Sequence, residues 1–221
     1  MRFGKGILCA LLLAPATAMA RDGSGGGGFL DVFYTPQAEI EISDSSGSFT
    51  LGDGTGLGFR GRVLLEGGLF LQGEYQANEY DSFEDSSGSF DFKSEASILR
   101  GGFGIAAGES PVYGLVEFIK QELEFTDACG FFDPCSFDDT GYGVHVGLQS
   151  RGETSQLYAQ IGLVDVGDFG NGLEFLVGGA INFSPTTGVF AEYRRTTEED
   201  DSGAEAELSD LRAGLRIGFG G

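Results

Sequence analysis

The chain has no tryptophan, one histidine and few cations: 13 lysines and arginines stand against 34 acids, a formal charge of −21 over 221 residues. So little positive charge repels nucleic-acid phosphates and excludes nucleic acid as a partner. A long apolar run is missing too, since the stretch at residues 7–13 falls well short of the roughly 20 residues a spanning helix needs. Nor does a 3.6-residue apolar period appear beyond it. With 39 glycines and a mean hydropathy of −0.02, a helical protein is a poor fit and a β-rich single domain the better one. What the chain does have is apolar surface: 41% hydrophobic residues and 20 phenylalanines exceed what a disordered chain carries.

The first twenty residues read as an export signal. Arg2 and Lys5 form the basic end, residues 7–13 the apolar stretch, and Ala18, Met19 and Ala20 a small-x-small cleavage site before Arg21. The expected layout is a cleavable signal peptide at 1–20, a Gly-rich linker at 21–28 and one domain at 29–219. Cys9 lies inside the apolar stretch behind Leu8, where a lipid-attachment motif wants a small residue, so lipidation is not expected. Removing the signal leaves Cys129 and Cys135. In an oxidising compartment these can form a disulfide across a turn-rich Gly-Phe-Phe-Asp-Pro segment, two free thiols being the alternative.

Period-two alternation recurs through the rest of the chain, and period two means strands. Leu30, Val32, Tyr34, Pro36, Ala38, Ile40 and Ile42 share one face of the first, with Asp31, Thr35, Gln37, Glu39 and Glu41 on most of the other. Further strands are expected near 57–66, 69–78, 95–107, 112–124, 141–150, 156–166, 173–183, 188–197 and 208–219. Ile98, Leu115 and Ile119 interrupt the polar faces of the fourth and fifth. The total is ten, with eight as the alternative if one hairpin stands clear of the rest.

The connectors come in two kinds. Segments 67–68, 108–111, 151–155 and 184–187 are short; 43–56, 80–94, 125–140, 165–172 and 198–207 are mostly longer and acidic. Short turns at one end and long loops at the other are the build of an antiparallel up-and-down transmembrane β-barrel, whose apolar faces meet lipid while polar faces line the lumen. An even strand number puts both termini on the short-turn, periplasmic side. The polar faces carry Arg60, Arg62, Arg100, Arg194, Arg212 and Arg216 against Glu66, Glu74, Glu117, Glu174, Glu192 and Asp210, six of each sign, as an enclosed lumen requires.

The last strand carries Arg212, Gly214, Ile217 and Phe219 in the spacing polar-x-Gly-x-x-apolar-x-apolar. This pattern resembles the insertion signal read by the outer-membrane assembly machinery, and the mature chain resembles the small outer-membrane β-barrel family, the porin-like group with OmpX-like and opacity-type members. Two glycines follow Phe219, where such barrels usually end on the aromatic residue. The resemblance implies residence in the outer membrane of a Gram-negative cell, contact with lipid and lipopolysaccharide, and delivery by that machinery.

No constellation for catalysis emerges. His145 faces the expected lumen between Val144 and Val146, but position 147, where barrel hydrolases would want a serine, is Gly147, so no nucleophile–base pair can be named. The acidic runs at Asp81, Glu84 and Asp85, at Asp138 and Asp139, and at 198–201 lack regular calcium-site spacing; weak bridging of divalent cations to lipopolysaccharide is the most they suggest, and no cofactor or dedicated metal site is expected. The glycine runs at 23–28 and 52–56 open no helix and precede no Gly-Lys-Ser/Thr, so they are linker and loop. Ten strands filled with large polar side chains leave little water in the lumen. The expectation is a non-enzymatic barrel with acidic outer loops in a structural, adhesive or interaction role; a narrow pore for small solutes or ions and a secreted soluble β-protein are the alternatives.

Overall fold

The computed structural model describes residues 27–45, 47–85, 88–106, 111–125, 135–152, 154–200 and 203–220. The expected signal peptide and most of the linker lie outside them, as does Cys129, and with it the disulfide to Cys135. Ten strands follow one another: β1 (Gly28–Asp44), β2 (Gly47–Leu64), β3 (Leu69–Asp85), β4 (Gly88–Ala106), β5 (Val112–Phe125), β6 (Cys135–Arg151), β7 (Ser155–Asp165), β8 (Asn171–Ser184), β9 (Thr187–Glu199) and β10 (Glu205–Phe219). Each pairs antiparallel with its neighbours in sequence, and β10 returns to β1 to close the barrel. Strand and linker meet at Gly28, which pairs with Phe219 in the closing seam. The eight-strand alternative is therefore set aside.

Around the lower part of the barrel, near the short turns, apolar residues point outward on every strand. Val32, Leu57, Leu71, Phe103, Val116, Val146, Leu163, Leu173, Val189 and Leu215 are each more than two-fifths exposed. On β3 this band runs from Leu69 to Ala77 before Glu79 and Asp81 replace it. Nine residues at about 3.3 Å each, tilted by about 40°, rise about 23 Å, which matches the roughly 25 Å apolar belt of a transmembrane barrel.

The strands are much longer than the band. The segments expected as long loops, 43–56 and 80–94, are mostly paired strand: β1 runs on to Asp44 opposite Gly47, and β3 to Asp85 opposite Gly88. The physical reason is an inversion of the two faces. On β1 the pairing shifts register at Pro36 and Gln37, a bulge that adds one residue. Because side chains alternate with period two, one added residue turns the following face over. Ala38, Ile40 and Ile42, expected to continue the lipid-facing stripe, therefore point inward, and Glu39 and Glu41 point outward.

Beyond the bulge the barrel has an ordinary apolar core. Ala38, Ile40, Leu51, Tyr80 and Leu123 are buried there, with Phe49, Phe83 and Leu208 packed against them. Ile119, Val164 and Val166 form a second cluster, joined by Ile98 and Phe169. Ile98 and Ile119, which interrupted the polar faces in the sequence, thus belong to this upper core; Leu115 packs with Phe70 and Tyr113 nearer the short turns. On the outside at the upper level acids stand side by side across strands, Glu79 opposite Glu95 and Glu95 opposite Glu124. Like charges so placed repel unless water screens them. No helix among the described residues is long and apolar enough to cross a membrane.

Candidate functional site: the charged lumen

Inside the apolar band the lumen is filled by charged side chains that reach across it. Asp31 on β1 is fully buried and accepts from Arg216 at 2.7 Å and from Arg60 at 2.8 Å. Arg60 also donates to Glu192 at 2.8 Å. Glu74 on β3 accepts from Arg194 at 2.7 Å and from Arg212 at 2.9 Å, although β3 lies far around the barrel from β9 and β10. Arg212 also pairs with Glu192 at 3.3 Å and with Asp210 at 2.6 Å. Arg100 on β4 bonds Glu117 at 2.7 Å and, across the lumen, Glu174 on β8. The strands carry these groups inward because each alternates with the outward apolar residues on its own strand.

The structure brings together eleven of the twelve residues expected to line the lumen. The exception is Glu66, which is exposed in the short 3-10 turn Glu66–Gly68. Strand β2 stops at Leu64, and Gly67 and Gly68 take φ of 74° and 81°, so counting by twos no longer predicts a facing direction. Asp31 takes its place. It lay on the polar face in the sequence, and the signal that could have found it was that same alternation, followed back towards the linker. Six arginines and six carboxylates still share the lumen: Arg60, Arg62, Arg100, Arg194, Arg212 and Arg216 with Asp31, Glu74, Glu117, Glu174, Glu192 and Asp210. Glu198 stands above them and accepts from Gln121 at 3.2 Å.

His145 is buried at the centre. Its Nε2 lies 3.0 Å from Glu117 and its Nδ1 3.9 Å from Glu174. The close approach needs glycine on both sides, since a Cβ at Gly143 or Gly162 would fall on the imidazole. Glu117, His145 and Glu174 bring ligand-type atoms within 4.8 Å of one another. A metal ion fits them poorly: the imidazole turns one nitrogen to each acid, whereas an ion takes one nitrogen, and Arg100 already compensates both carboxylates. The neighbouring position on the lumen side, Gly147, packs on the Tyr113 ring.

Unfilled space remains on both sides of this network. About 440 Å³ opens at the short-turn end beside Phe29, Arg62, Tyr113, Gln149 and Arg216. A second space of about 440 Å³ touches Gln76, Tyr80, Arg100 and Asp210, and Arg194 lines both. Higher still, about 380 Å³ is bounded by Ile40, Ile98, Leu123, Phe169 and Leu208. In the last strand, Arg212 faces the lumen, Gly214 lets Phe33 pack closely, and Ile217 faces outward at 48% exposure.

A closed ten-stranded antiparallel barrel with an apolar outer band and a charged interior is the architecture of a transmembrane β-barrel. The chain is similar to the translocator domain of the autotransporter NalP from Neisseria meningitidis, at a TM-score of 0.51 and 10% identity, over 90% of this chain and 91% of that one. It also matches the outer-membrane protease OmpT from Escherichia coli, with a TM-score of 0.46, 10% identity and coverage of 87% and 97%. The attachment invasion locus protein Ail of Yersinia pestis matches with a TM-score of 0.43, 16% identity and coverage of 87% and 99%. At such identity, the likeness to the NalP domain speaks to the fold alone. No protein-family model matches the chain, and no curated protein sequence matches it either.

Proposed function

We propose that the chain is an integral outer-membrane barrel that neither conducts nor catalyses, and that its role is structural, adhesive or interactive, carried by the acidic column it holds beyond the lipid. The observation that carries this reading is the inversion of the barrel's faces. Over the lower band lipid is the only solvent that favours apolar side chains outside and paired charges inside. Above Pro36 and Gln37 the outside is acidic and the inside apolar, which suits water. A strand of 17 residues, such as β3, measures about 55 Å and rises about 40 Å when tilted, so about 15 Å of it stands above the belt. The start of β1 and the end of β10 meet at the opposite, short-turn end, which on this reading faces the periplasm.

Two layers support a sealed lumen: the cross-lumen ion pairs within the band and the apolar core above it. In the same reading the terminal strand is what the assembly machinery recognises, and lipid and lipopolysaccharide surround the band. Planar-bilayer recording of the refolded protein tests the proposal. The expected trace is flat; stable single-channel steps that vanish on changing Arg100 or Glu117 would overturn it in favour of a narrow pore.

A further inference from the structure

The six lumen arginines are not equally compensated. Arg60, Arg100, Arg194, Arg212 and Arg216 each lie within 4.0 Å of at least one carboxylate, whereas Arg62 has none within that distance among the described residues. Its guanidinium is nevertheless well fixed. Nε donates to the Gln72 amide oxygen at 2.9 Å, and Nη1 approaches that of Gln149 at 3.4 Å. The plane is stacked among Phe70, Tyr113 and Phe29, with ring centres at 4.5, 5.3 and 5.6 Å. Neutral amides and ring faces orient the charge without cancelling it. The acid nearest along the chain, Glu66, is turned out to solvent.

We propose that the short-turn end of the lumen binds an oxyanion, carboxylate or phosphate, carried on a small solute, with Arg62 as its cationic anchor. A part-buried charge with no counterion is disfavoured, and where the described residues supply no acid an external anion restores the balance. Arg62 is itself only part-buried and lines the space that opens at the short-turn end, so a solute reaches it from that mouth. Its planar fork of donors matches two oxygens at once. Arg216, held by Asp31 and by Gln156 at 2.7 Å, adds positive potential to the same space. Phe29, Tyr113 and Tyr158 offer flat walls for the body of the solute. That the site faces the periplasm rests on the orientation proposed above; the binding itself does not.

Isothermal titration of the barrel refolded in detergent micelles tests this, with benzoate and glycerol phosphate as the two oxyanion sources and chloride as the simple-ion control. The expected result is saturable binding at one site by at least one oxyanion, weakened tenfold or more in Arg62→Gln and less in Arg62→Lys, with Glu66→Gln unchanged. The better of the two oxyanions then names the source. Heat-modifiable gel migration of each variant shows that it has folded, and Arg62→Lys keeps the test open should Arg62→Gln fail to fold. No saturable binding, equal binding of chloride, or binding indifferent to Arg62 would overturn the site. Bilayer conduction leaves this result untouched, so the two proposals fail separately.

Discussion

Changing Glu74 to glutamine tests whether the lumen is held by charge or merely filled. Glu74 accepts from Arg194 at 2.7 and 3.1 Å and from Arg212 at 2.9 Å, and it lies 3.8 Å from Arg60. Glutamine keeps the volume and removes the charge, so no cavity confuses the outcome. Arg212 keeps Asp210 and Glu192, but Arg194 is left with Glu174 at 4.0 Å. Removing one partner of a buried pair costs about 3–5 kcal/mol, most of it the burial of the charge left behind. With a urea slope of about 2 kcal/mol per M, the unfolding midpoint in micelles should fall by about 2 M. Combining Glu74→Gln with Arg194→Met should recover part of the loss, because an uncharged pair leaves nothing to compensate. A midpoint shift below about 0.5 M, or a double variant whose loss is the plain sum of the singles, would refute the reasoning.

Three further changes probe the other layers. Val146→Arg, in the apolar band at 56% exposure, should cost about 2–4 kcal/mol in lipid, while Glu41→Arg above the band should leave stability within about 0.5 kcal/mol; equal effects by urea unfolding in bilayers would remove the assigned boundary. Gly162→Ala should cost about 1–3 kcal/mol through overpacking against His145, whereas Gly73→Ala, where a Cβ meets nothing closer than 3.9 Å, should not be felt in the same assay. Deleting Gln37 should remove the bulge and turn Glu39 and Glu41 into the apolar core; protease should then cut in the upper parts of β1 and β2 while the heat-modifiable band persists, and full resistance would show that the bulge does not govern the faces.

The lower barrel was legible in the sequence because its physics is simple alternation. Leu57, Phe59 and Val63 against Arg60 and Arg62, followed by Gly67 and Gly68, define a hairpin whether the apolar side meets lipid or a core. The upper barrel was not legible as strand. Segments 43–56 and 80–94 are rich in serine, glycine and acids, which is the composition of a loop. On β1 the alternation keeps one sense and the bulge at Pro36 and Gln37 turns it over, a single extra residue that leaves no compositional mark, whereas on β3 the facing runs unbroken and the alternation itself changes sense at Glu79. In the site the limit was of the same kind: Glu66 had the right parity but stood past the end of its strand, while Asp31 had it and was buried. That Arg62 has no acid within reach among the described residues could not be read at all, since pairing across the lumen joins residues as distant as Asp31 and Arg216.

Why the lumen holds ion pairs at all follows from what lies outside it. Buried ion pairs seldom stabilise a fold more than well-packed apolar residues of the same volume would. In a soluble barrel an apolar interior suffices, because the outer face is polar and the two faces of every strand differ; the upper barrel is built so, with Leu51 and Ile119 inside and Glu39 and Glu79 outside. Within the band the outer face must itself be apolar. An apolar lumen would then make the two faces alike, and a strand slipped by one residue would lose almost nothing. Charges that pair across the lumen break that degeneracy. A slip of one residue in β3 would carry Glu74 into lipid and strand Arg194 inside, at a cost of several kcal/mol. Because Arg60 reaches Glu192, Arg100 reaches Glu174 and Arg194 reaches Glu74 between strands that are not neighbours, each pair fixes the register of distant strands together. The network therefore specifies the barrel's register more than it adds to its stability, and on β1 the bulge at Pro36 and Gln37 then turns that strand's faces over at the edge of the band.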